Sequence, residues 1–493
     1  MKSLREVKGY SQLVFLFSPR AAIFSTCAIW RNTPGLALEI KDKKKDKDRA
    51  HTAMETRIVK VPTGKTFGRF VDAAPGASRL ERWQLEADNA EALEPLREAA
   101  VALQEEDIPV AFPTETVYGL GADATRSGSV NGIYAAKKRP SDNPLIVHVC
   151  DLTMLRGLLG DGQEKTGGDE AGDSIPSIYR PLIERFWPGP LTIILPNPEP
   201  SKLAPEVTAG LTTFGARMPS SPLALSLIKL ADRPLAAPSA NASTKPSPTA
   251  AQHVKHDLDG RIRLILDGGP CPVGVESTVV DGLNGPPVVL RPGGVSMDEL
   301  RSCPGWEGVV KGYKDHSEDG KTAPRAPGMK YKHYSPKARV VLYEATFAGA
   351  ADGVDVKDIR AVTPVNGNGE AADRKVGVIR TQRWKQGAGL PSRQFASTAA
   401  GGQTSNGAEN GTTTTHPIFR GDLLDEAGQV IGDILDVGLG ENSRGVAQGL
   451  FSALRELDLQ GADTILVDGI KDESDIAEAV MNRLRKAASE IRA

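Results

Sequence analysis

The chain is short of the features that would place it in several large classes at once. It has four cysteines, Cys27, Cys150, Cys271 and Cys303, with no C-x-x-C pair. That argues against a structural zinc site and against a disulfide framework, and it fits a reducing compartment. No apolar run approaches the roughly 18 residues that a membrane span needs. The H-E-x-x-H and G-x-S-x-G patterns are missing, and Ser277 in Val-Glu-Ser-Thr-Val lacks the flanking glycines of a nucleophile elbow. Gly64-Lys65-Thr66 is no phosphate loop either, because Val59 stands where the first glycine of that motif belongs. Excess charge is absent too: 60 basic against 62 acidic residues leave a net charge of −2. Any nucleic-acid contact must therefore come from a local patch.

What is present is ordinary soluble protein, 40% apolar and 25% charged over 493 residues, enough for two or more domains. Residues 1–53 differ from the rest. Lys2, Arg5, Lys8, Arg20 and Arg31 face a single acid, Glu6, before Glu39, which is compatible with a mitochondrial transit segment. The charged run Lys41–Arg49 and a second methionine, Met54, support the alternative of a weakly ordered extension or a gene-prediction artefact. From residue 54 to 300 strands and helices alternate, which predicts an α/β domain. Leu93, Leu96, Ala100 and Leu103 mark one helical face, and short apolar runs mark strands at 109–112, 144–149, 191–195, 264–267, 276–281 and 288–291. Gly160–Ser174 and Pro304–Thr322 are polar, Gly-rich and without a core pattern, so both are expected to be surface loops. Residues 301–337 read as insert and linker. Residues 338–493 read as a second α/β domain whose stretches 365–372 and 387–415 have the composition of disorder. Gly438-Leu439-Gly440 with Gly445 imitates a dinucleotide loop, but its surrounding elements read in the wrong order.

The most informative stretch is Phe112–Val149. A hydroxyl-rich turn, Pro113-Thr114-Glu115-Thr116, leads to a glycine-punctuated loop, a short helix and the cationic run Lys137-Lys138-Arg139. Backbone N–H groups and fixed positive charge beside hydroxyls make an anion cradle, although a solvated basic face is the bland alternative. Arg139, Arg217 and Arg291 can each grip phosphate or carboxylate through two N–H groups. His148 stands in an apolar strand, where a lone histidine is more often a core residue than a ligand. Cations and hydroxyls without an evident nucleophile suit phosphoryl or nucleotidyl transfer by positioning and charge stabilisation.

In order along the chain, PTETVYGLGADA, KKRPSDNPLIVHV, FWPGPLT, ARMP, APSANASTKPSPT, GVESTVVD and LRPG resemble the YrdC-like family. With PGMKYKHYSP and the closing LFSALRELD and AVMNRLRKAA, the chain is similar to its long, two-domain members, the threonylcarbamoyl-AMP synthases. The resemblance implies an α/β fold: a twisted mixed sheet with a positively charged cavity, followed by a smaller Rossmann-like domain. It implies that L-threonine, bicarbonate or CO2 and ATP give threonylcarbamoyl-AMP and pyrophosphate, with Mg2+ on the nucleotide and no metal held by protein side chains. A separate transferase complex would then carry the product to the adenosine beside a tRNA anticodon. By motif, Thr116, His148, Arg217 and Ser277 would hold threonine. Lys137 and Arg139 would be catalytic and, with Asn143, Thr213, Ser239, Asn241, Ser247 and Arg291, would hold ATP or the carbamate. Tyr334 and His333 would come from the linker as a lid, which the second domain is expected to position. Ala237 departs from members that carry a hydroxyl there. Two alternatives are a protein that binds double-stranded RNA or tRNA without chemistry, and a carbamoyl transferase. Near-zero charge and few aromatics oppose the first, and missing zinc-finger and acylphosphatase segments oppose the second. The expected location is the cytoplasm, with a mitochondrial pool if residues 1–53 are a transit segment.

Overall fold

The computed structural model describes residues 54–62, 66–71, 78–86, 90–160, 173–313, 333–354, 374–398, 416–472 and 476–493. The amino-terminal extension, Gly64-Lys65, most of the 160–174 insert, residues 314–332 of the insert and linker and the stretches 365–372 and 399–415 lie outside the described residues.

Two large mixed sheets carry the fold. The first has eleven strands among the described residues. Its spatial order is Arg57–Lys60, Leu264–Asp267, Val110–Phe112, Gly119–Asp123, Leu235–Ala236, Ile146–His148, Thr213–Arg217, Leu191–Pro196, Thr278–Asp281, Val288–Arg291 and Val310–Lys311. The Ala90–Glu105 helix shows how the pattern becomes a layer: Leu93, Leu96, Ala100 and Leu103 are all buried, and the helix packs on Pro222–Ala231. Each fully buried leucine contributes about 1.5–3 kcal/mol. The sheet runs past residue 300, because the Val310–Lys311 strand pairs with Val288–Arg291. Trp306, in a stretch expected to be a surface loop, is fully buried, and its indole N–H donates to Ile178 O at 2.8 Å. One tryptophan in a polar, Gly-rich run carries no periodicity, so the pattern could not reveal it.

The second sheet has the order Ser392–Thr398, Ile418–Leu424, Val430–Gly438, Arg374–Arg380, Thr464–Asp468, Arg339–Tyr343 and Glu490–Arg492. From Val430–Gly438 onward its strands are parallel, and the first two form an antiparallel edge. Strands covered on both faces need apolar side chains throughout, and Thr464–Asp468 is buried at every position. Ser392–Thr398, expected to be disordered, is one of the edge strands. Gly438-Leu439-Gly440 does lie between a strand and the Ser443–Leu459 helix, but Asn442 caps that helix by accepting from the Arg444 N–H. Among the described residues no helix is long and apolar enough to cross a membrane.

Residues 53–493 form one compact unit. Val117 and Val275 pack in one cluster with Tyr334, Val446, Leu450 and Phe451. Gly274, at φ +81°, lies so close to the Ser443–Leu459 helix that a Cβ would fall 2.3 Å from Gln448 Cα and 2.4 Å from Ala447 O. Only glycine satisfies both the backbone conformation and the approach. Gly274→Ala is therefore expected to cost about 1–3 kcal/mol, read as a lower urea midpoint. An unchanged midpoint would mean that the helix yields freely.

Candidate active site

The cavity is lined by Thr114, Thr116, Val117, Gly119, Arg139, Ile146, His148, Arg217, Ala237, Pro238, Ser239, Glu276, Ser277, Arg291, His333 and Tyr334. Local structure aims each of its polar groups. After the Val110–Phe112 strand the chain turns at Thr114, whose hydroxyl donates to Val117 O at 2.7 Å and lies 2.9 Å from the Thr116 hydroxyl. Arg217 ends its strand at this turn. Its guanidinium donates to Thr116 Oγ1 at 2.9 Å, Glu115 Oε1 at 2.5 Å and Gly189 O at 3.2 Å. His148 is the next strand's partner in register with Arg217, which places the two side by side. Ser277 Oγ lies 2.8 Å from Thr192 Oγ1, and Arg291 donates to Ser277 O and Oγ at 2.9 and 3.1 Å.

The cationic run is sorted by a helix end. The Ser127–Lys137 helix stops at Lys138, which is left-handed at φ 52° and exposed. Lys137 is buried behind the wall and donates to Ser239 O, to Asn241 O at 2.6 Å and to Asn241 Oδ1 at 3.3 Å. Three acceptors around one Nζ are the geometry of an ammonium, although burial pushes its pKa well below the usual lysine value. Arg139 turns into the cavity, held by Asn143 O and Pro144 O at 3.4 and 3.2 Å. Its Nε and the Asn143 Oδ1 are buried without a hydrogen-bond partner among the described residues. Unpaired groups of this kind are costly unless a ligand answers them.

Burial first, and the Arg217 charge second, hold His148 down at about 3, so its ring is neutral. Burial also lowers Arg139 and Arg291, each to about 10. Burial works against the charge of Glu276, but Arg483, Arg291 and the Ser247 hydroxyl outweigh it and hold the carboxyl at about 2. Tyr334 covers the cavity in a left-handed conformation, φ 64°, that a tyrosine rarely adopts. Its ring stacks on Phe451 at 5.2 Å between centroids, and burial raises its hydroxyl to about 12. Among the described residues no group of three or more His, Cys, Asp or Glu side chains could hold a metal ion.

Of the residues singled out from the sequence, Thr116, Arg139, His148, Arg217, Ser239, Ser277, Arg291, His333 and Tyr334 line the cavity. Lys137, Asn143, Asn241 and Ser247 form a supporting layer that orients them. Thr213 is at the far end of the strand that carries Arg217 and is not in the lining. Sequence reasoning missed two carboxylates, Glu115 against Arg217 and Glu276 against Ser247. Both stand directly beside hydroxyl residues that the motifs did single out, which was the available signal.

Residues 102–293 match the Sua5/YciO/YrdC family, described as telomere recombination. Residues 295–489 match the family described as threonylcarbamoyl-AMP synthase, C-terminal domain. The threonylcarbamoyl-AMP synthase of Schizosaccharomyces pombe is 44% identical over 449 residues, 88% of this chain and 98% of that one. That of Bacillus subtilis is 39% identical over 411 residues, 83% of this chain and 98% of that one. A crystal structure of Sua5 from Pyrococcus abyssi, complexed with L-threonine, covers 80% of this chain and 95% of that one at 36% identity and a TM-score of 0.59.

Proposed function

The chain belongs to the two-domain threonylcarbamoyl-AMP synthase family, and from that premise we propose that it makes threonylcarbamoyl-AMP and pyrophosphate from L-threonine, bicarbonate or CO2, and ATP. One observation supports this above the rest. A single cavity holds an arginine–hydroxyl pocket, Arg217 with Thr116, His148 and Ser277, and two more cations, Arg139 and the Ser277-bonded Arg291, with Lys137 behind. The first suits an amino acid, with the Arg217 fork on its carboxylate. Neutral His148 adds no competing charge there. The two further cations suit a triphosphate, and the unanswered Arg139 Nε and Asn143 Oδ1 are the groups a nucleotide would engage.

In this reading the threonine amine forms an N–C bond to CO2 and loses a proton, giving a carbamate. A carbamate oxygen then forms a bond to the ATP α-phosphorus as the bond to the bridging oxygen breaks, and pyrophosphate leaves with the electron pair. The carbamate, ATP and the leaving pyrophosphate are all anionic, so fixed cations lower the barrier and no covalent nucleophile is needed. Mg2+ would arrive on the nucleotide's phosphates. Arg139, with Lys137 holding the Ser239–Asn241 loop, would stabilise charge at the transferring phosphoryl group. Ser247 would support the nucleotide side through Glu276, and Thr213 would act only from the cavity's edge. Tyr334 and His333 would exclude water from a labile mixed anhydride. The product would pass to a tRNA threonylcarbamoyl transferase.

Pyrophosphate release with MgATP and bicarbonate tests this. Release is expected to require L-threonine and to fall away with serine. Absence of threonine-dependent release from folded protein would overturn the proposal.

A further inference from the structure

The nucleotide side of the cavity is built against two arginines that come from the C-terminal half of the chain. Arg483, on the Ala477–Ala487 helix, is fully buried. Its Nε donates to Glu276 Oε2 at 3.1 Å and its Nη1 to Pro292 O at 2.5 Å, and its guanidinium carbon lies 5.8 Å from the Tyr334 ring centroid. Glu276 is therefore a shared post. Its other oxygen accepts from Ser247 Oγ at 2.5 Å, its charge acts on the Tyr334 hydroxyl, and it directly precedes Ser277, which receives Arg291. Pro292, the second acceptor of Arg483, follows Arg291 in the chain. Arg455 holds the residue that precedes Ser247. It donates to Pro246 O and, at 3.3 and 2.8 Å, to the two oxygens of Asp257, which also hold Lys245 Nζ and the Ala242 N–H.

A buried carboxylate in a cavity meant for a triphosphate is a liability: it repels the ligand and competes for the arginines that should bind it. We infer that Arg483 is a positioning residue for the nucleotide, neutralising Glu276 so that the phosphates meet Arg291 and Tyr334 beside a compensated carboxylate. Arg483 need not touch substrate to do this. The inference rests on the cavity being the ATP site proposed above. It gives the C-terminal half a definite part in ATP binding that covering the cavity alone would not require.

The groups facing Glu276 are Arg483 from its helix, Arg291 from its strand, Ser247 from its loop, His333 and Tyr334 from the linker, and Lys137 behind. Arg483→Met should raise the KM for ATP by about tenfold or more while leaving the KM for threonine within about twofold, as expected for one unpaired buried charge. Without Arg483, burial raises the Glu276 carboxyl. The ATP KM of Arg483→Met should then improve, relative to the unsubstituted protein, as pH is lowered, and a purely structural prop would not produce that titration. Adding Glu276→Gln to Arg483→Met should abolish the pH effect and bring the ATP KM back toward the unsubstituted value.

Calorimetric ATP binding, measured alongside pyrophosphate release, separates the two readings. Weaker ATP binding by Arg483→Met supports the inference even if the unsubstituted protein releases no pyrophosphate. An unchanged ATP KM in folded Arg483→Met, or an equal rise in both KM values, overturns it. So does an unsubstituted protein that binds no ATP. If Arg483→Met does not fold, the charge-neutral double variant carries the test, and weak ATP binding there counts against the inference.

Discussion

Arg217→Ala is expected to lose threonine-dependent pyrophosphate release by a factor on the order of 10³ in kcat/KM, since truncating a buried, hydrogen-bonded charge costs about 2–5 kcal/mol. The residue is 4% exposed, and its side chain is fixed by Gly189 O, Thr116 Oγ1 and Glu115 Oε1 before any ligand arrives. Such a group is preorganised, so little entropy is lost when a carboxylate meets it. Removing it also leaves the Glu115 carboxylate buried and unpaired, which repels threonine where threonine's own carboxylate should sit. Lysine is no substitute, because a single ammonium cannot bridge Thr116, Glu115 and a ligand in one plane. Adding Glu115→Gln to Arg217→Ala should recover stability without recovering turnover. Steady-state kinetics with threonine as the varied substrate, alongside melting curves, would check this. Retained turnover with an unchanged threonine KM would place the amino acid elsewhere.

Acid should destabilise the fold well before its carboxylates are protonated. Burial is the main cause that holds His148, His253 and His333 each at about 3 in the folded protein. In the unfolded chain a histidine titrates near 6.5. The folded state therefore binds fewer protons than the unfolded state between those values. The histidines' contribution is whole above the unfolded pKa and is lost as pH falls toward 3. Each contributes about 1.4 kcal/mol per pH unit well below 6.5, or roughly 4 kcal/mol per unit for the three. That is a large part of the roughly 5–15 kcal/mol that holds a domain together. Glu276, held at about 2, adds a loss in the same direction at lower pH. Urea midpoints are expected to fall steeply below about pH 6.5. His253→Asn, which keeps an acceptor for the Thr249 N–H, should remove about a third of the slope. A midpoint that stays flat to about pH 5 would mean that these rings reach water.

The cavity was legible because its residues come in short runs whose chemistry is unusual for their surroundings. Thr116, Arg139, Arg217 and Arg291 sit at strand or helix ends, where the period breaks and a polar side chain needs a reason. The contribution of the C-terminal half was not legible on the same terms. Arg483 stands in Asn482-Arg483-Leu484-Arg485-Lys486, and only packing distinguishes the fully buried Arg483 from the cations Arg485 and Lys486 on that helix. Its partner lies 207 residues away, beyond the reach of any local pattern. The edge of the second sheet failed for a different reason. Ser392–Thr398 draws its order from backbone pairing with Ile418–Leu424, so its side chains are free to be small and polar. The Ala90–Glu105 helix and strands such as Leu191–Pro196 and Leu264–Asp267 were readable because burial dictates their side chains directly.

The separation between Glu276 and Arg483 also has a consequence during synthesis. A ribosome adds roughly 5–20 residues per second, so with 207 residues between them the arginine emerges roughly 10–40 s after the carboxylate. Domains fold as they are made, amino-terminal first, and the first sheet needs no strand from beyond residue 311. For that interval the nascent chain holds a nearly complete sheet around a carboxylate still waiting for its counter-charge. The completion of the cavity is thus timed by translation of the last helix and not by formation of the sheet that lines it.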